Sequence, residues 1–415
     1  MASATIDHMI SITIFLAAIL LFMNLFSQTI QTAIIYQGHR TVATKCSDLI
    51  DNMLLNPGSP STWSLTNYSP TGFGLQDPEF TQYQLSSFSL MRLDSSLADH
   101  VYFKESTAFY TKTTTGFGSN LLIPLVSAIN YSLALKLLGI NNTYGFQLEL
   151  TPVITVDIAE NQASNPLNLS LSVTGTGFPL ANASINCCLI LVSLPANEGE
   201  YPSFTLLNRT VTADERGSTF VEFPEVTGST QSYAFIAYAH LGGLLGVGFR
   251  ERVSSTEPEN LREYIVPIVE DVAEQKVLIA HNYDLNSSSS AGASLKYNAT
   301  FVLSAEDFTL REMPLASPTT VGTVTSGVGN PFVNITIPTY TPGILIVTYQ
   351  KQNTTEGGVV VMPWGISSLA FPVTFGGDPQ LQEWVATDIR QVTINRIAYQ
   401  AKLALWSYKG QQVMG

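Results

Sequence analysis

Five histidines, His8, His39, His100, His240 and His281, are the first place to look for acid–base or metal chemistry in this chain. None stands three or four residues from another, so no helix face carries a zinc-binding pair. His281 in "AHNYD" precedes Asp284 at a spacing able to share a metal on a loop, although a plain surface turn is the preferred reading. "ENLREYIVPIVEDVAEQK" places Glu270, Asp271 and Glu274 within five residues. Paired carboxylates do acid–base work or hold calcium, but nearness in sequence does not bring side chains together, and a solvated acidic helix face is expected. Cys46, Cys187 and Cys188 match neither a zinc spacing nor a disulfide framework. Cys187 and Cys188 are neighbours in a strand-like run and point to opposite faces, so buried free thiols are expected. The glycine-rich "LGGLLGVGF" lacks the Lys-Ser/Thr and the following helix of a phosphate loop, and reads as close strand packing or a turn. There is no Gly-x-Ser-x-Gly elbow, no Walker loop and no His-Glu-x-x-His. Neither enzymatic activity, nor a cofactor, nor a metal is expected.

The elements that would carry any function are set by composition and pattern. With 415 residues the chain has room for two or three domains. Charged residues make up only 12% against 45% hydrophobic, so the surface is polar through Ser and Thr rather than ionic. A net charge of −13 with 19 Lys plus Arg and no basic cluster argues against nucleic acid as a partner. The 17 tyrosines suit contact with sugars or proteins through ring and hydroxyl, but packing within sheets is the simpler reading.

The N-terminal run is the clearest element. Met9, Ile10, Ile14, Phe15, Leu16, Ile19, Leu20, Leu21, Phe22, Leu25 and Phe26 dominate "MISITIFLAAILLFMNLF". As a helix, Met9–Phe26 spans about 27 Å, enough to cross a bilayer. No basic n-region precedes it and no small-x-small site follows, so a retained anchor is expected rather than a cleaved signal. Asn-x-Ser/Thr acceptors occur at Asn67, Asn130, Asn141, Asn168, Asn182, Asn208, Asn286, Asn298, Asn334 and Asn353. Composition predicts about four by chance, and the excess points to an exported, glycosylated C-terminal part. Beyond the span, Ile30, Ile34, Val42, Cys46, Leu49, Ile50, Met53 and Leu54 continue a helical stripe through Gly38. "NPGSP" then ends a helix of about fifty residues.

That helix and the stretch after it resemble the archaeal type IV pilin-like surface proteins. The resemblance rests on Leu54, Leu55, Gly58, Pro60, Trp63, Phe73, Gly74 and Leu75 in "LLNPGSPSTWSLTNYSPTGFGL" and covers about the first 75 residues. It implies a membrane-anchoring helix bearing a β-rich extracellular head. The basic residue that the family's processing site needs is absent from "SATIDHM", which implies an unprocessed tether rather than a major filament subunit.

The fold class expected is mainly β with a long N-terminal α-helix, a pilin-like anchor followed by immunoglobulin-like β-sandwich ectodomains. Residues 1–56 form the anchor helix. Residues 57–144 form a mixed connecting region with short helices in "LSSFSLMRLDSSL" and "LIPLVSAINYSLALKLLGI", the second beginning near Pro124. Residues 145–255 form an immunoglobulin-like sandwich and 256–376 a second β-rich domain. A C-terminal hairpin over 377–415 turns at "NR" after "VTI". The function expected is a non-enzymatic, single-pass membrane protein with its C-terminal part outside the cell, mediating surface assembly or adhesion. Its partners are the lipid bilayer through residues 9–26 and like subunits or other surface proteins. The alternative is an extracytoplasmic binding or sensor domain for a small solute or glycan.

Overall fold

The structure is a computed structural model that describes residues 2–66, 68–80, 82–94, 99–103, 108–116, 119–161, 166–197, 199–227, 231–254, 261–285, 294–305, 308–315, 319–322, 332–382 and 384–408. It is mainly β behind one long helix. Helix α1 (Ala2–Leu54) runs unbroken through Gly38 and stops just before "NPGSP". The loop after it is closed by Trp63, whose Nε1 donates to the Pro57 and Gly74 carbonyls at 2.9 and 3.2 Å. Gly58 sits at φ +84° beneath that indole, and a Cβ on Gly74 would fall 2.1 Å from the Asn56 carbonyl oxygen. Both positions therefore need glycine.

The connecting region holds α2 (Ser87–Met91), β1 (Asp99–Phe103), β2 (Ala108–Gly116), β3 (Ser119–Pro124) and α3 (Tyr131–Leu137). The single helix expected over "LIPLVSAINYSLALKLLGI" is in fact strand, turn and helix. Pro124 ends β3, and α3 starts later because Asn130 caps it, its Oδ1 accepting from Leu133 N at 2.9 Å.

Strand β4 (Tyr144–Pro152) opens the main β region. After it come β5 (Ile154–Glu160), β6 (Leu167–Gly175), β7 (Phe178–Pro179), β8 (Ser184–Ser193), β9 (Ser203–Thr212), β10 (Ser218–Phe223), β11 (Tyr233–Leu241) and β12 (Leu244–Arg252). Among the described residues their order is β10-β6-β5-β12-β11-β8-β9, with β5 and β12 parallel and every other pair antiparallel. This is an immunoglobulin-like sandwich: β5, β6 and β10 make one layer, β12, β11, β8 and β9 the other, and its first and last strands join the two. Alternation fills its interior with Leu167, Leu169, Leu171, Val173, Phe223 and Phe235. Gly242 and Gly243, both at positive φ, turn β11 into β12. Gly246 and Gly248 let β12 lie against Ile154 and Val156. The glycine-rich stretch is thus both turn and packing surface.

A second sandwich follows. It holds β13 (Ile265–Asp271), β14 (Lys276–His281), β15 (Leu295–Ser304), β16 (Leu310–Pro314), β17 (Thr319–Val321), β18 (Phe332–Thr336), β19 (Gly343–Lys351) and β20 (Gly357–Trp364). Its layers are β13-β14-β18 and β16-β15-β19-β20. In chain order these are first-second-fifth and fourth-third-sixth-seventh, the same order as in the first sandwich once short β7 and β17 are set aside. The "YIVPIVED" stretch expected on an acidic helix is strand β13, buried on both sides for five residues. The small sheet β1-β2-β3 covers its outer face, with Phe103, Tyr110 and Leu122 against Val266, Ile268 and Ala280.

The sandwiches stack. Ile190, Val192, Ala234, Ile236 and Tyr238 leave the first interior and share one apolar cluster with residues of β19 and β20. Ser232 Oγ donates to the Gly357 carbonyl at 2.9 Å and Thr348 Oγ1 to that of Pro202 at 3.1 Å. Hence β11 and β19 are apolar almost throughout: each has a core on both faces. Cys187 and Cys188 are free and buried, Cys187 within the first sandwich's interior, and burial pushes each thiol up to about 12.

The chain closes with β21 (Val373–Gly376), β22 (Ala386–Ile394) and β23 (Ile397–Ser407), in a four-stranded sheet ordered β21-β4-β23-β22. Asn395 and Arg396 form the two-residue turn of the β22–β23 hairpin, both at positive φ. Strand β4, expected to begin the sandwich, instead pairs with both β21 and β23. Only Val153 separates it from β5, so it reads as part of the sandwich along the chain. Val373 lies opposite Leu150, so both sandwiches are inserted into the bend of one hairpin.

Candidate functional site

The residues expected to act in a membrane stand clear of the head. Met9, Ile10, Ile14, Phe15, Leu16, Ile19, Leu20, Leu21, Phe22, Leu25 and Phe26 are all exposed, and nothing among the described residues covers them. Among the described residues, α1 is the one helix long and apolar enough to cross a membrane, with mean hydropathy 2.4 over its most apolar window. Two of its threonine hydroxyls are satisfied internally: Thr13 Oγ1 donates to Met9 O at 2.8 Å and Thr29 Oγ1 to Leu25 O at 2.8 Å. Such back-bonding is what a hydrocarbon surrounding asks of a polar side chain.

The far end of α1 is seated in the head. Val42, Cys46, Leu49, Ile50, Met53 and Leu54 are buried, and the helix lies against β22 and β23. Full burial of one such side chain stabilises by about 1.5–3 kcal/mol, so the seat fixes the helix firmly. Cys46 Sγ lies 3.5 Å from the Leu403 carbonyl oxygen. Beside this apolar strip runs an ionic clamp. Arg390 Nε and Nη2 reach Asp51 Oδ1 and Oδ2 at 2.9 and 3.3 Å, and Nη2 also reaches Ser47 Oγ at 3.0 Å. Tyr83 donates to the same Asp51 carboxylate at 3.0 Å, and Asp388 flanks Arg390 at 2.5 Å. The bond to Asp51 leads the effects that raise the Arg390 guanidinium above its ordinary value. Burial would raise the Asp388 carboxyl, but Ser47, Arg390 and the Ile389 backbone together hold it below the usual range. This bidentate pair ties helix to sheet. Sequence reasoning missed it, since Asp51 shows only as an acid beside the stripe and Arg390 carries no signal at all.

Arg92 is a second unforeseen residue. Fully buried, it lies 5.1 Å from the Trp63 ring centroid and donates to the carbonyls of Ser127, Trp63, Thr66 and Tyr68. Burial lowers its pKa to about 10. It pins the loop after α1 to the rest of the head.

The candidate chemical groups stay apart. Glu270, Asp271 and Glu274 lie at the β13–β14 turn, not on a helix, with Asp271 Oδ1 accepting from Glu274 N and Lys276 paired to Glu274. His281 and Asp284 are 1% and 2% exposed, not on a surface turn. His281 Nε2 lies 3.4 Å from Glu263, which also pairs with Lys351 at 3.2 Å. Among the described residues no three His, Cys, Asp or Glu are grouped to hold a metal. Tyr233, Tyr297, Tyr349 and Tyr399 are buried in sheets.

Of the asparagines expected as glycan acceptors, Asn67 and Asn286 lie outside the described residues. Asn130, Asn141, Asn182, Asn208, Asn334 and Asn353 are exposed, and Asn168 and Asn298 are half-buried within strands.

No known family profile and no curated protein matches the chain. Weak structural likenesses include a BSP domain of a biofilm associated protein, 14% identical over 51% of this chain and 29% of that one, TM-score 0.16. Red sea bream transglutaminase is 11% identical over 62% and 37%, TM-score 0.20. The native conformation of E. coli alpha-2-macroglobulin is 11% identical over 68% and 19%, TM-score 0.21. The chain spans well under half the length of each, and scores this low carry no argument.

Proposed function

We propose that this chain is a non-enzymatic, single-pass membrane protein that displays a β head outside the cell for surface assembly or adhesion, in the manner of the pilin-like proteins. The observation that carries the reading is the division of α1. Its N-terminal half is apolar and bare on all sides, while its C-terminal half is built into the head by six buried side chains and the Asp51–Arg390 clamp. A bare apolar surface of this size needs lipid or other protein around it. Exposed acceptors such as Asn141, Asn208 and Asn334 and the weakly ionic surface support an extracellular head. Like subunits and other surface proteins are the partners proposed, and neither cofactor nor nucleic acid takes part.

The test is protease shaving of intact cells followed by membrane extraction with carbonate. The head is expected to be degraded from outside, with a fragment of α1 retained in the membrane. Full protection of the head in intact cells, or release of the whole chain by carbonate, would reject the proposal.

A further inference from the structure

The segment of α1 between the span and the seat has a surface of its own. Past Phe26 apolar side chains recur among uncharged polar ones: Ile30, Ile34 and Ile35 are exposed at 44%, 65% and 50%, with Ser27, Gln28, Thr29, Gln31 and Thr32 between them. Met9–Ile35, which holds no charged residue, is therefore ~40 Å of uncharged helix beside a hydrocarbon layer of ~30 Å. A stretch this long tilts or sinks, which draws the next residues into the headgroup layer. Those residues form a collar where α1 leaves the head. Tyr36, Arg40 and Lys45 come from the helix and Tyr144 from the start of β4, all lining one shallow groove. On another side His39 stacks flat on Trp384, ring centroids 4.1 Å apart and planes 2° off parallel.

The chemistry of the collar differs from that of the rest of the surface. Arg40 and Lys45 are the only Lys or Arg in α1, and neither has an ion-pair partner among the described residues. Asp48 shares their groove, leaving two cations to one acid in a chain of net charge −13. Long side chains on a helix lean toward its N-terminus, which here is the membrane end. Tyrosine and tryptophan with basic groups above an apolar span match the border between hydrocarbon and water.

We propose that this collar is a docking surface for anionic lipid headgroups, so that the head rests on the membrane that anchors it. The proposal depends on the anchor reading. Arg40 and Lys45 engage lipid phosphate, while Tyr36, Tyr144 and the His39–Trp384 stack settle at the interface. Each cation is expected to contribute about fivefold to the preference for anionic lipid.

Trp384 makes the test direct, because Trp63, Trp364 and Trp406 are buried while Trp384 is half-buried. The full chain is reconstituted in vesicles of zwitterionic lipid alone or mixed with anionic phospholipid, each carrying a headgroup spin label. Fluorescence quenching is read against a Trp384→Phe background. Quenching several-fold stronger with anionic lipid, lost in high salt and in the Arg40→Ala/Lys45→Ala chain, supports docking. Both cations lie on the helix surface, and circular dichroism checks that this variant folds. Weak quenching of a chain that floats with both vesicle types overturns the docking proposal and leaves the anchor standing. Quenching that ignores lipid charge but follows protein density assigns the collar to a second copy and also overturns it. Failure to float with either vesicle type rejects the anchor reading itself, and docking with it.

Discussion

Single side chains hold this head together at points where the backbone would otherwise come apart. Arg92 serves four carbonyls with one buried guanidinium and forms no ion pair among the described residues. Arg92→Ala removes the donor from all four beside a cavity, with only the Trp63 carbonyl keeping a partner, Thr66, among the described residues, and a loss of about 3 kcal/mol is expected in denaturant unfolding. Arg92→Lys should recover only part of it, since an ammonium cannot span the same fork. Glu263 predicts a pH response. Burial alone would raise its carboxyl, but hydrogen bonds from His281 and Lys351 hold it below the usual range. A depressed carboxylate adds stability that is complete above its unfolded pKa of about 4.3 and is lost as pH falls through the folded value. Urea midpoints should therefore drop between neutral and acid pH, and the Glu263→Gln chain should lose less over the same interval. Neither residue was legible in the sequence. A lone Arg in "LMRLD" and a Glu in "LREY" look like surface charges until chain segments far away in sequence enclose them.

At the scale of elements, legibility followed periodicity. The stripe from Val42 to Leu54 announced both the helix and its buried face, and "NPGSP" its end. Alternation in "LNLSLSV" and unbroken apolarity in "AFIAYA" and "ILIVTY" marked strands with one and two covered faces. "YIVPIVED" misled because its carboxylates belong to the turn after a buried strand, where charge reports solvent at one end only. "LIPLVSAINYSLALKLL" misled because its apolar run crosses a strand end, a turn and a capped helix without a break in composition. The two halves of α1 also differ in what their removal does. A chain starting at His39 keeps the seat, and is expected to run as a folded species in size exclusion with its sharp thermal transition intact. A chain starting at Pro57 bares the apolar sheet under β22 and β23 and should aggregate. Equal behaviour of the two would show that the seat contributes nothing.

Across the whole molecule, two sandwiches of one strand order meet through a buried apolar face. No short repeat in the sequence reveals this, because strand order constrains which faces are apolar and not which residues make them apolar. A continuous interface predicts one cooperative transition, with calorimetric and van't Hoff enthalpies in agreement. Ile236→Asp puts an unpaired charge between the sandwiches and is expected to cost more than about 3 kcal/mol and to split the transition in two. The hairpin insertion has a consequence for the order in which the protein comes into being. Cys46 sits against Ala386, 340 residues later. A ribosome delivers the helix long before its seat. Until then the stripe from Val42 to Leu54 has no sheet to rest on, while both sandwiches have the time to close. The sheet that completes the seat emerges after both sandwiches, so a product truncated between them would hold finished domains on an unfinished base. Quality control would then have one place to inspect: the side of the helix that β22 and β23 have yet to cover.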